Sequence, residues 1–123
     1  LRTNVRSQKR QGRKGCTMNF EPFTMLVTSL DDEAWAQQIA ATLIAERLAA
    51  CVQVSGPVTS HYRWEGKQEQ AREWLLTCKT PPERAADLVE RLRALHPYTL
   101  PEIVVLQGQV QAAYGAWARG ETT

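Results

Sequence analysis

Cysteine is scarce in this chain, which holds only Cys16, Cys51 and Cys78. Three scattered thiols cannot build a disulfide framework or a structural zinc site. Unpaired cysteines in strand-like segments, as Cys51 and Cys78 are, act as small buried hydrophobes, so a reducing compartment is expected, the cytoplasm by default. Histidine is scarcer still, with His61 and His96 alone. No apolar run reaches the ~18 residues of a membrane-spanning helix, and no repeat of fixed period is present. A Gly-rich phosphate loop, C-x-x-C, H-E-x-x-H and G-x-S-x-G are all missing. A Cys–His nucleophile would need Cys51 or Cys78 beside His61 or His96, which spacing does not establish. Enzymatic function is therefore not expected.

Charge of one sign is missing from the opening of the chain. Residues 1–17 carry six Arg or Lys and no acid, so the net charge of +2 conceals a remainder with nine basic and thirteen acidic side chains. A basic, apolar-poor opening cannot bury enough surface to offset its ordering entropy. Residues 1–20 are expected to be a basic disordered tail, either non-native or a targeting segment, and residues 21–123 a single folded domain. Nucleic-acid binding would rest on that tail alone; it is not expected of the net-acidic domain.

What is present alternates in period. "FTMLVTS" (23–29) reads as a strand. In "DDEAWAQQIAATLIAERLAA", Trp35, Ile39 and Leu43 recur every four residues, an amphipathic helix capped by Asp31 or Asp32. "CVQVSGPVTSHYRWEG" reads as a long strand bent or bulged at Gly56–Pro57, "EGKQEQ" as a polar turn, and "REWLLTCKT" as the returning strand of a hairpin. Val58, Tyr62 and Trp64 share one face of it, and Trp74, Leu76 and Cys78 point away from Leu75, Thr77 and Lys79. Thr80 and Glu83 are spaced as a capping box for a helix whose stripe is Ala85, Leu88, Leu92 and Leu95, ended by Pro97. "EIVVLQG" is expected to be a strand buried on both faces, and "VQAAYGAWARG" a terminal helix with Val110, Tyr114 and Trp117 on one side. The order β-α-β-β-α-β with an extra C-terminal helix predicts an α+β, ferredoxin-like fold with a long β-hairpin. Two helices cover one sheet face, and Tyr62, Trp64 and Trp74 exceed the needs of one small core, so a symmetric oligomer through the hairpin is expected.

Plausible metal donors are Cys51, His61, His96 and Glu102, widely spread in sequence. His96 also fits a helix C-cap, and Cys51 a packing role. Glu65, Glu69 and Glu73 read as a solvated hairpin tip.

Four ordered segments, "ERLAACV", "SHYRWEGK", "EWLLTCKT" and "HPYTLPEIVVL", resemble the CutA family of divalent-cation-tolerance proteins, over about Met25 to Trp117. The resemblance implies a soluble, often heat-stable ferredoxin-like subunit in a tight homotrimer, linked to tolerance of copper and other divalent metals, with no metal required for folding. A family cysteine proposed as a copper ligand falls at Val27. The first of two successive histidines falls at Leu95, leaving His96; Glu102 and Cys51 are retained. The metal candidates are therefore His96, Glu102 and Cys51, for weak binding of copper or another divalent cation. In a second reading, the trimer is a small-ligand or partner-binding signalling module, with Tyr62, Arg63, Trp64, Lys67 and Tyr98 lining an intersubunit cleft for an anionic ligand.

Overall fold

A computed structural model describes residues 19–123. Apart from its last two positions, the tail expected at 1–20 lies outside the described residues, and so does Cys16. The elements are β1 (Phe20–Leu30), α1 (Glu33–Ala45), β2 (Cys51–Trp64), β3 (Lys67–Thr80), a 3-10 turn (Pro82–Arg84), α2 (Ala85–Leu95), β4 (Val104–Gln111) and α3 (Ala112–Glu121). The strands form one antiparallel sheet in the order β2-β3-β1-β4. This is the ferredoxin-like α+β arrangement with its additional terminal helix.

Strand alternation sorts side chains between two faces. Leu26 and Leu30 of β1 and Leu76 and Cys78 of β3 meet Ala36, Ile39 and Leu43 of α1 and Leu88 and Leu92 of α2 in the core. Trp74 packs on this core and is not surplus. α1 begins at Asp32, whose carboxylate accepts the Trp35 N–H at 2.9 Å. Trp35 itself is exposed, so the buried stripe is Ala36, Ile39 and Leu43. Its indole N–H is drawn aside to donate to the Leu95 carbonyl at 3.0 Å.

On the opposite face, α3 covers only the start of β1, where Tyr114 meets Phe23 edge-on and Arg119 pairs with Glu21. Beyond it, Met25 stands between Leu106 and Lys79, and Val27 between Val104 and Thr77, with no helix of the described residues over them. β4 is a sheet edge, and Val104, Val105 and Leu106 are exposed. That overturns the expectation of burial on both faces: within one chain, nothing lies outside an edge strand.

The Thr80–Glu83 capping box does not form. Thr80 ends β3, and its hydroxyl donates to the Leu48 carbonyl at 2.8 Å. Pro81 and Pro82, which follow, have no N–H to be capped. α2 starts only after the 3-10 turn.

The hairpin is longer than the sheet. β1 pairs with β3 no further than Leu30–Trp74, so 58–64 and 67–73 form a two-stranded arm. Its turn is only Glu65–Gly66, both at positive φ (52° and 79°), the geometry that matches strand twist. Lys67–Gln70, expected in the turn, belong to β3. The bulge between Ser55 and Val58 changes side-chain phase. Val52 and Val54 lie opposite Cys78 and Leu76 on the core face, whereas Val58, Ser60, Tyr62 and Trp64 lie opposite Glu73, Ala71, Glu69 and Lys67 on the other. Gly56 permits this: its φ is +138°, and a Cβ there would sit 3.0 Å from the Glu73 carbonyl oxygen.

Candidate functional site

Pro97 stops α2, and His96 becomes its C-cap in extended geometry, with its N–H on the Leu92 carbonyl. The imidazole turns inward and is 7% exposed. Nδ1 accepts the Tyr98 backbone N–H at 3.1 Å, and Nε2 lies 2.9 Å from the Ser29 carbonyl. An amide can only donate and a carbonyl only accept, so the ring is neutral with its hydrogen on Nε2. Burial holds its pKa below the usual histidine value, opposed by the Ser29 carbonyl and by Glu73 and Asp31.

Two more bonds fix the loop that follows. The Tyr98 hydroxyl donates to Glu73 Oε2 at 2.7 Å, and the Ser29 hydroxyl donates to Glu102 Oε1 at 3.1 Å. Burial first, and then Glu73, pushes the Tyr98 phenol pKa well up, keeping it a donor. The loop is thereby tied to the end of β1 and to β3.

Between this loop and the arm lies a cleft of about 790 Å³. Asp31, Glu73 and Glu102 give it three carboxylates; Tyr62, Trp64 and Tyr98 give it aromatic surface; among the described residues, neither Lys nor Arg lines it. Of the residues singled out from sequence, Glu102, Tyr98, Tyr62 and Trp64 meet here, and His61 joins them. His96 stands behind the wall, holding Tyr98 in place. Arg63 is on the other face of the arm, donating to the Gly66 carbonyl at 3.3 Å, and Lys67 is at the tip opposite Trp64, outside the cleft. Cys51 is buried at the start of β2, nine residues before Ser60, the first β2 residue of the cleft lining.

Sequence reasoning missed Glu73, Asp31 and Ser29. Glu73 reads as part of a solvated tip but is 7% exposed, because it sits at the root of the arm beneath Tyr98. Its position depends on the register across the bulge, which composition does not signal.

The donors do not assemble a soft-ligand copper site within one chain. Among the described residues, no three His, Cys, Asp or Glu are grouped to hold a metal. Both His96 nitrogens are engaged. The Cys78 thiol is pushed up to about 12, by burial first and then by Cys51, whereas metals bind the thiolate. Among the described residues no helix is long and apolar enough to cross a membrane.

The model of the family described as "CutA1 divalent ion tolerance protein" matches residues 24–121. The divalent-cation tolerance protein CutA of Thermus thermophilus is 41% identical over 99 residues, spanning 80% of this chain and 96% of its own length. The solved CutA of Synechococcus elongatus superposes with a TM-score of 0.79 at 33% identity, covering 85% of this chain and 96% of that one. A solved CutA from Archaeoglobus fulgidus, described as a periplasmic divalent cation tolerance protein, has a TM-score of 0.77 at 28% identity, covering 82% and 99%. With a ferredoxin-like fold and a family match across nearly all of its described residues, this chain belongs to the CutA1 divalent-ion-tolerance family.

Proposed function

We propose that the chain acts by binding and not by catalysis, as a homotrimeric divalent-cation-tolerance protein that holds copper or another divalent cation weakly. The observation that carries this reading is the cleft with three carboxylates and, among the described residues, no lining cation. Asp31, Glu73 and Glu102 are hard oxygen donors; too few converge for tight coordination. Assembly is supported by the strip of Met25, Val27, Val104 and Leu106, uncovered among the described residues, and by an arm to which no third described strand pairs. Cytoplasmic residence is supported by Cys51 and Cys78, which are free thiols.

Calorimetric titration of Cu²⁺ into wild type, Glu102→Gln and His96→Ala tests it. Weak, saturable heat that falls several-fold in Glu102→Gln is expected; an unchanged isotherm in His96→Ala assigns binding to the carboxylates. No heat in wild type would refute the metal reading, and a single-chain mass by light scattering would refute the trimer.

The second reading, a small-ligand or partner-binding module, is favoured by the exposed rings of Tyr62 and Trp64 on the same cleft.

A further inference from the structure

The main core holds none of Phe23, Cys51 or Ala118, although all three are buried. The register shows where they lie. Glu21 and Phe23 share a face of β1 with Met25 and Val27. Met25 stands opposite Lys79, and Lys79 in turn stands opposite Cys51, so Cys51 is on that face too. The face looks away from α1 and α2, and the only described helix on it is α3, which buries Gly115 and Ala118. A second, smaller cluster therefore sits beneath α3, separate from the core under the other two helices.

α3 is loosely built. Ten residues are too few to stay helical alone in water. No side chain caps its start, and Gly115 and Gly120 both lower its propensity. The two glycines differ in consequence. A Cβ at Gly115 would overlap the Glu21 carboxylate, so the missing side chain lets the helix approach the strand. Gly120 has open space around it, and its missing side chain only loosens the helix. Arg119 pairs with both oxygens of Glu21, Tyr114 meets Phe23 edge-on, and Arg47 donates to the Glu121 carbonyl at 3.2 Å. At the other end the Ala112 N–H donates to the Asn19 carbonyl at 2.9 Å, and β4 runs directly into the helix, which fixes that end as a hinge. Elements joined to the body by so little apolar contact open at low free energy.

We propose that α3 is a hinged strap, latched by Glu21 and Arg119, which lifts from the sheet as a unit while the body stays folded. Opening uncovers Cys51 and adds Phe23 to the apolar strip of Met25 and Val27, so the strap sets how much of this sheet face is presented.

The test is hydrogen exchange of the full chain, read peptide by peptide, beside alkylation by N-ethylmaleimide mapped to each cysteine. The hydrogen-bonded amides of α3 should exchange about tenfold or more faster than those of β3, and Cys51 should react ahead of Cys78. Glu21→Gln and Arg119→Met should each speed α3 exchange by about 3- to 30-fold. The double variant should go no further than the larger single effect, because both substitutions remove one pair. Gly120→Ala, which fills open space, should slow α3 exchange by about fivefold. Leu76→Ala separates strap from body: β3 amides and Cys78 should respond, whereas α3 amides and Cys51 should not. α3 exchanging in step with β3 in wild type, α3 speeding as much as β3 in Leu76→Ala, or α3 unchanged in both Glu21→Gln and Arg119→Met would overturn the proposal. Cys51 reacting in step with Cys78 would overturn α3 as its cover.

Discussion

The two halves of β2 obey the same pairing rules and meet different fates. Cys51–Ser55 lies in a four-stranded sheet under two helices, and its Val52 and Val54 pack on the core. Val58–Trp64, like Cys51–Ser55, pairs with β3 alone among the described residues, but it lies beyond the reach of β1, and its Tyr62 and Trp64 are exposed. A two-stranded ribbon alone in water is marginal. The difference lies in what surrounds the ladder, not in the ladder itself: body residues are held by burial, arm residues by cross-strand contacts and by whatever else reaches them.

The largest effect should come from the body. Leu76 is fully buried, and Leu76→Ala should cost about 2–5 kcal/mol in denaturant unfolding. Trp64→Ala should cost under about 0.5 kcal/mol, as exposed substitutions do. Equal costs would erase the distinction between body and arm. A Trp64→Ala cost that grows with protein concentration would show that the arm's missing support is a second copy.

Between these lies the junction. Gly56→Ala forces a side chain into positive φ and against the Glu73 carbonyl, so a loss of about 1–3 kcal/mol is expected, readable as a fall in denaturation midpoint. A neutral outcome would mean that the junction relaxes and the arm's angle is adjustable.

The smallest effect concerns the loop that closes the cleft. His96 has a folded pKa below its unfolded value, so the unfolded chain binds the proton more readily. Its contribution to stability is present above the unfolded pKa of about 6.5 and is lost as pH falls through the lower folded value. The melting temperature of wild type should fall over that window, and His96→Gln should flatten the step. An identical fall in His96→Gln would assign the acid sensitivity elsewhere.

The fold was readable because its signals are local. Asp32 before an amphipathic run, Gly56–Pro57 inside a strand and Pro97 after a leucine stripe each act through the backbone of their immediate neighbours. Signals that compete for distant partners were misread. Thr80 has the spacing of a cap, but its hydroxyl goes to Leu48, 32 residues away. Trp35 fits the helical stripe, yet its indole N–H is claimed by Leu95. "EIVVL" has the composition of a central strand, and its position at the sheet edge is a matter of strand order. The site divides in the same way: Glu102, Tyr98, Tyr62 and Trp64 are recognisable as types, whereas Glu73 is placed by register alone.

The bulge between Ser55 and Val58 is also where two independent counts along β2 are reconciled. One count starts in the body, at Cys51 opposite Lys79; the other starts at the tip, at Trp64 opposite Lys67. They disagree by one residue, and Gly56 and Pro57 together take up the slack against Trp74. The aromatic set is therefore indexed from the tip. Removing one residue at the bulge would leave Tyr62 opposite Glu69, and the lining of the cleft would survive. A slip of the arm by one residue, with no change in length, would instead send Thr59 and Arg63 to the cleft and Tyr62 and Trp64 away from it. An acidic, aromatic surface would become one bearing Arg63. The two-residue turn at Glu65–Gly66 thus guards the chemistry of a cleft whose lining runs from Trp64, beside the turn, to Glu73 at the root of the arm.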